Sequence, residues 1–417
     1  MKITRTFCVL AAALALSSRL FGADAPVAPS PTDASILERL AALERRFDEL
    51  AAENKTLRDQ LAAAQAAKPA ATAVAASPAP VPAPAAEPAK PAKPAPVYVA
   101  AAGKEGKIAL GGFFHINAES GDAPDARWAG VHDRFFIRRA RLNAAGSFAE
   151  DFSFKIEGDF GNNSVGGRSG YSAQMTDGFV TWSAHPAASL RAGQFKTPFG
   201  YEQLMPDTKV QTVERSLPND RLTVSRQIGV GLFGDVVPKR LAYSTGIFNG
   251  NGVNNGDNDN DDFLYVGRLS GTIAQGGEDD GRYQIDAGVN AFTMDTTGAT
   301  AQRDGLGLDL QLSWGPATLT GEWLRNDFTS ATGIESDSDG WALLATWAIN
   351  KRWLLMGRVE SFDPSSLAAN DETDSWTLGG AYLINGDNIK LTLNYMQGTV
   401  GTADSNGRLL GRLQIVY

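Results

Sequence analysis

From Gly106 to the terminal Tyr417 the chain runs as about sixteen segments in which apolar and polar positions alternate, each roughly ten residues long. Residues 388–398 show the pattern: Ile389, Leu391, Leu393 and Tyr395 fall on one face, with Lys390, Thr392, Asn394 and Met396 on the other. In 151–160, Phe152, Phe154, Ile156 and Phe160 oppose Ser153, Lys155, Glu157 and Asp159. The final segment sets Leu413, Ile415 and Tyr417 against Arg412, Gln414 and Val416. Period-two alternation predicts strands with one apolar face. The strands predicted are 106–119, 132–147, 151–160, 173–184, 189–196, 226–235, 239–248, 262–274, 281–293, 302–315, 317–328, 339–350, 352–362, 373–385, 388–398 and 407–417.

The connections alternate in length. Ala149-Glu150, His185-Pro186, Val237-Pro238, Gly315-Pro316, Asn350-Lys351 and Asn385-Gly386 mark tight turns, and Gly276-Gly281 is somewhat longer. The other connections are longer and polar. A backbone in lipid must satisfy every polar group internally, which only helices and closed barrels do. Short turns on one side and long loops on the other are the layout of an outer-membrane barrel, with the turns in the periplasm. The expected fold is therefore all-β: a transmembrane antiparallel β-barrel of about sixteen strands at 104–417. Trp314, Trp323, Trp341, Trp347, Trp353 and Trp376 are candidates for interfacial aromatic belts.

The residues before the barrel read differently. Lys2 and Arg5 precede an apolar stretch, Phe7 to Leu16, too short to span a membrane, so 1–23 reads as a secretory signal. The only cysteine, Cys8, lies inside it, leaving the mature chain neither a disulfide nor a thiol catalyst. In 33–61, Ile36, Leu40, Leu43, Phe47, Leu50, Asn54, Leu57 and Leu61 step by four and three, a heptad pattern. Ser35 and Glu38 have capping-box spacing. An N-terminal α-helical coiled coil is expected there, with Asn54 at an a position fixing register. Leu-rich d positions with an a-position Asn favour two strands, in tension with a three-fold barrel. Residues 66–98 are nearly all Ala, Pro, Lys, Val and Ser, a composition that cannot form a packed core. Extended as polyproline they reach on the order of 90 Å. They read as a spacer, with Lys68, Lys90 and Lys93 available to an anionic cell wall such as peptidoglycan.

Charge is unevenly spread. The chain carries −9, and loss of Lys2, Arg5 and Arg19 with the signal leaves about −12. Lys104 to Arg240 holds 17 basic and 15 acidic residues, whereas Asn249 to the end holds 10 and 23. The first half thus carries a local positive field within an acidic protein, which does not suit a nucleic-acid binder. Candidate anion-facing residues are Arg138, Arg139 and Arg141 on the second strand, Lys155 on the third, and Arg191 and Lys196 on the fifth. Rings of Arg and Lys select anions, and guanidinium forks fit phosphate oxygens. The same residues, paired with loop carboxylates, would set field without specificity, and the sequence leaves both readings open. Arg138 falls on the lipid parity, so it must snorkel or be turned inward by a bulge. The connection 197–225 far exceeds its siblings and carries Lys209, Arg215 and Arg221 with Glu202, Asp207, Glu214 and Asp220. Loops that long are usually functional. Folded into the lumen it would narrow the pore.

Asp257-Asn-Asp-Asn-Asp-Asp262 alternates hard oxygens as calcium loops do. It lacks the glycine at the sixth place, and Arg268 stands where a Glu is needed at the twelfth, so it reads as a solvated loop. His115, His132 and His185 are scattered and suggest no zinc site. No serine lies in a nucleophile motif, so neither enzyme chemistry nor a cofactor is expected.

Phe136-Ile-Arg-Arg-Ala-Arg-Leu142, Phe152-Ser-Phe-Lys-Ile-Glu-Gly-Asp-Phe160, Leu190 to Leu204, Val213-Glu-Arg-Ser-Leu-Pro218 and the ending Arg412-Leu-Gln-Ile-Val-Tyr417 resemble the phosphate-selective porin O and P family. The similarity is dense over 132–250 and looser beyond. The resemblance implies a homotrimeric, anion-selective pore in outer-membrane lipid, with a central anion site matching Arg138, Arg139 and Lys209. Two departures weaken phosphate as the solute. Gly111-Gly112 is followed by Phe113 where the family's phosphate pores carry an arginine, and the connection at 294–301 lacks their arginine ladder. The expectation is passive diffusion of small anions, with the helical stalk in the periplasm. A general or cation-preferring porin that tethers the outer membrane to the wall is the alternative.

Overall fold

The computed structural model describes residues 98–100 and 107–417, apart from 163–164, 166–169, 186, 279–280 and 297–299. The predicted signal at 1–23, the coiled coil at 33–61 and the linker short of Tyr98 lie outside the described residues.

Sixteen strands follow in order: β1 (Lys107–Gly121), β2 (Arg134–Phe148), β3 (Phe152–Asp159), β4 (Gln174–His185), β5 (Ala188–Lys196), β6 (Arg226–Val237), β7 (Leu241–Phe248) and β8 (Leu264–Gly276). The second half comprises β9 (Tyr283–Asp295), β10 (Thr300–Trp314), β11 (Ala317–Ser330), β12 (Glu335–Ala348), β13 (Trp353–Asp363), β14 (Thr373–Asn385), β15 (Ile389–Val400) and β16 (Asn406–Val416). Each pairs antiparallel with its sequence neighbours, and β16 pairs with β1, placing Arg412 beside Asn117 and Gln414 beside His115. Gly112 and Tyr417 exchange both backbone hydrogen bonds at 3.1 Å. Closure leaves the barrel without a free edge, the condition for strands in lipid. A three-residue strand, Tyr98–Ala100, pairs with the start of β1.

Exposure is inverted relative to a water-soluble protein. Leu306, Leu308, Leu310 and Leu312 of β10 all lie outward, as do Leu391, Leu393 and Tyr395 of β15. Lys390, Thr392, Asn394, Arg408, Arg412 and Gln414 are buried inside. This is the alternation read from the sequence, with the apolar face turned to lipid. Trp314, Trp341, Trp347, Trp353 and Trp376 are exposed on that outer surface. β12 begins at Glu335, four residues before the predicted 339, and pairs Glu335 with Thr329 of β11. Residues 335–338 are polar on both faces, so the hairpin continues where the alternation signal has gone. Among the described residues no helix is long and apolar enough to cross a membrane.

Candidate functional site: a constriction built by loop 3

The connection 197–225, loop 3, folds into the lumen. Its ends are joined where the Thr197 N–H and Oγ1 both donate to Ser225 O at 2.9 Å. It carries two short helices, α1 (Tyr201–Leu204) and α2 (Leu217–Leu222), the latter capped by Ser216 Oγ, which accepts from the Asn219 N–H. One flank is held by apolar packing. Phe199, Leu217 and Leu222 bury against Phe292, Leu324 and Phe362 from β9, β11 and β13. Fully burying a side chain of this size contributes about 1.5–3 kcal/mol.

Polar contacts hold the middle of the loop to β13, β15 and β16. Asn394 Oδ1 accepts the Val213 N–H at 2.7 Å, and Gln414 donates to Thr208 O at 3.0 Å. Lys390 donates to Thr208 O and Val210 O, and Arg358 donates to Thr212 Oγ1 at 3.0 Å and Glu214 O at 2.9 Å. Loop 3 is thereby tied to the barrel on both sides.

Arg138 and Arg139 enter this region through a β-bulge. His115 pairs with Arg139 and Ile116 with Ile137, so Arg138 is the extra residue on β2. Before the bulge Phe136 and Arg138 point inward, and after it Arg139 and Arg141 do; all four are buried. Of the two outcomes open for Arg138, the structure takes the inward bulge. Asp159 stabilises it: its Oδ1 accepts the Ala140 N–H at 3.0 Å and the Gly161 N–H at 2.9 Å, and its Oδ2 accepts from Arg141 at 2.9 Å.

The arginines converge on two loop carboxylates. Arg138 forks onto Glu214 (Nε to Oε1 2.9 Å, Nη2 to Oε2 3.0 Å), and Arg412 adds 2.7 Å to Oε1. Asp207 takes Arg141 at 2.6 Å, Arg215 at 2.6 Å and Arg139 at 3.3 Å. Burial alone would raise both loop carboxyls. The guanidiniums reverse this: Arg139, Arg141 and Arg215 hold Asp207 well below the usual carboxylate range, and Arg138 and Arg412 hold Glu214 below it. Lys196 is close by, donating to Gln203 O at 2.6 Å and Met205 O at 2.9 Å.

Three predicted residues lie apart from this centre. Lys155 pairs with Asp177 at 2.7 Å and with Glu157 at 3.0 Å. Arg191 donates to Thr181 and lies over the rings of Phe179, Phe233 and Phe195. Lys209 reaches Asp387 in the β14–β15 turn at 2.7 Å, with its side chain largely exposed. Sequence reasoning singled out neither Arg358 nor Arg412 as site residues. Arg412 was legible as lumenal from its polar face, but nothing local marks Arg358 as a partner of loop 3. Between loop 3 and β10–β13 a cavity of about 150 Å³ remains, lined among others by Tyr201, Glu202, Gln311, Thr320, Glu322 and Arg358. In the loop 257–262 Asn260 Oδ1 accepts the Asp262 N–H, Asn258 donates to Asp262 O, and Asn260 donates to Asp295 O at 2.7 Å. Among the described residues no group of His, Cys, Asp and Glu is placed to hold a metal.

A closed barrel with a long loop folded across its lumen is the architecture of a diffusion pore. The family model described as phosphate-selective porin O and P matches residues 108–414. The chain belongs to that family. This porin is an outer-membrane channel and not an enzyme. Solved structures agree in fold. The anion-selective porin from Comamonas acidovorans aligns with a TM-score of 0.57 at 14% identity, covering 75% of this chain and 100% of its own. OmpT of Vibrio cholerae, solved in a trimer form, gives 0.54 at 9%, covering 75% and 99%. The outer-membrane channel DcaP of Acinetobacter baumannii gives 0.52 at 14%, covering 75% and 97%. No curated protein matched the sequence.

Proposed function

We propose that this porin passes small anions, phosphate and polyphosphate among them, by passive diffusion down a gradient. The observation that carries the reading is the constriction's charge. Arg138, Arg139, Arg141, Arg215 and Arg412 face Asp207, Glu214, Glu157 and Asp159, leaving an excess of cations. In a narrow, partly dry lumen that field offsets part of an anion's lost hydration and repels cations. Family membership and the anion-selective Comamonas acidovorans porin point the same way. The reversal potential of the purified porin in a planar bilayer under a KCl gradient tests it: an anion-signed potential is expected, and a cation-signed one rejects the reading.

A general or cation-preferring pore is the second reading. Glu202 lines the cavity beside loop 3, and the second half of the chain is acidic. The same measurement separates the two. Assembly as a homotrimer in outer-membrane lipid is supported by the trimeric relative in its fold class. The heptads at 33–61 and the spacer at 66–98 support a periplasmic stalk reaching toward peptidoglycan. Deleting 26–98 should leave conductance unchanged; if the stalk is a tether, envelope integrity falls, and if integrity is kept the tether is rejected.

A further inference from the structure

The cations of the constriction are already occupied. Glu214 presents its two oxygens to Arg138 as a fork, with Arg412 and Asn117 Nδ2 (3.2 Å) on the same Oε1. Paired N–H groups gripping two oxygens of one anion is how guanidinium holds phosphate. Asp207 bridges Arg141 through one oxygen and Arg215 and Arg139 through the other. The remaining donors are also committed. Arg215 donates to Glu202 O and Met205 O, the Arg412 Nε donates to Asn117 Oδ1, and Lys196 holds two carbonyls. Arg139 is the exception: its Nη2 meets Asp207 only at 3.3 Å, and its buried Nε makes no hydrogen bond. One loosely held guanidinium beside occupied forks leaves a residual field and little of the paired-donor geometry that holds a dianion.

We infer that Asp207 and Glu214 are tethered occupants of this porin's anion site, filling the guanidinium forks that a phosphate would otherwise take. The inference rests on the constriction being an anion filter and specifies how that filter works. Anions pass through a positive field without being captured at a saturable site. A fixed carboxylate competes at high effective concentration, because loop 3 is anchored on both sides and the free ion must displace it. Fast transit is the consequence, since conduction needs binding weak enough to release the ion.

The test is phosphate block of chloride current through the full-length porin in planar bilayers. It compares wild type with Asp207→Asn and Glu214→Gln, which keep side-chain shape and remove one negative charge each. Wild type should show no saturable block in the millimolar range. Each variant should acquire one, with half-block at least about tenfold below the highest phosphate concentration that leaves wild type unblocked, a difference of about 1.4 kcal/mol or more. Saturable block of wild type at millimolar phosphate or below overturns the inference even if neither variant folds, as does an unchanged phosphate response in variants that insert and conduct. Reversal potentials from the same bilayers keep the two claims apart. The variants gain net positive charge and should stay anion-selective. A cation-signed potential in wild type rejects the anion filter itself, whereas an anion-signed potential with unchanged block rejects only the tethered occupants.

Discussion

Arg138 and Arg139 are consecutive on a strand yet both point into the lumen, because the bulge opposite His115 and Ile116 gives Arg138 no partner on β1. Asp159 accepts the Ala140 N–H beside the bulge, and Gly161 lets the chain after β3 lie against it. A Cβ at Gly161 would stand 2.7 Å from Arg139 Cα, backbone against backbone. Gly161→Ala should therefore force the strands apart, at a cost of about 1–3 kcal/mol. Urea unfolding of the barrel in vesicles reads that loss, and an unchanged midpoint would mean the bulge relaxes freely.

Loop 3 should resist acid. Asp207 and Glu214 both titrate below the ordinary carboxylate range, the first beside Arg139, Arg141, Arg215 and Lys196, the second beside Arg138, Arg412 and Arg139. A folded-state pKa below the unfolded value of about 4 means the stabilisation is fully present above that value. It is lost as pH falls through the folded value. The anchoring of loop 3, read as resistance of 205–215 to an acid-active protease, should hold from pH 7 to about pH 4 and fail only below. Arg138→Ala, which removes the main partner of Glu214, should move the onset to higher pH. An onset near pH 5 in wild type would contradict the pairing.

The strands were legible because lipid enforces strict alternation, as in Leu306 to Leu312 and Lys390 to Met396. Even the conflict at Arg138 was visible as a parity error. The partners of loop 3 were not. Glu214 binds Arg138 and Arg412, which approach from opposite ends of the barrel sequence, and Arg358 reaches Thr212 from β13. Such contacts depend on how a loop crosses a closed lumen, and no periodicity encodes that path. Lys209 shows the same limit: its ion pair is with Asp387, a residue of the β14–β15 turn far along the chain.

Arg358 is the test of that crossing. It is buried, donates to Thr212 Oγ1 and Glu214 O, and pairs with Glu360 at 3.0 Å. Arg358→Ala removes the clamp and leaves Glu360 with the Ser375 hydroxyl at 2.8 Å and Arg127 at 3.9 Å. The loss should therefore fall below the roughly 3–5 kcal/mol of a fully orphaned buried charge. Loop 3 should loosen on the β13 side, next to the open cavity, so conductance should rise with noisier current. Protease cleavage within 205–215 should appear in the folded barrel. A quiet, unchanged channel would show that the apolar packing of Leu217 and Leu222, with the contacts from Lys390, Asn394 and Gln414, holds the loop without Arg358.

Arg191 separates charge from packing. Its guanidinium lies 4.2 Å from the Phe179 ring centre and 4.8 Å from that of Phe233, and among the described residues it makes no ion pair with a carboxylate. No carboxylate pairs with it as Asp177 and Glu157 pair with Lys155. A unit charge about 8 Å from a passing ion is worth about 0.5 kcal/mol in water, favourable to an anion and unfavourable to a cation, so it weights one over the other roughly fivefold. Arg191→Met keeps apolar bulk against the rings and removes the charge. The anion-to-cation permeability ratio should fall by about fivefold while unfolding in urea shifts little, because cation–π stacking at a wet site contributes only about 0.5–1 kcal/mol. Arg191→Lys keeps the charge but stacks less well, so it should preserve the ratio. If Arg191→Met left the ratio untouched, the field at this end of the pore would have to come from the loop 3 cluster alone.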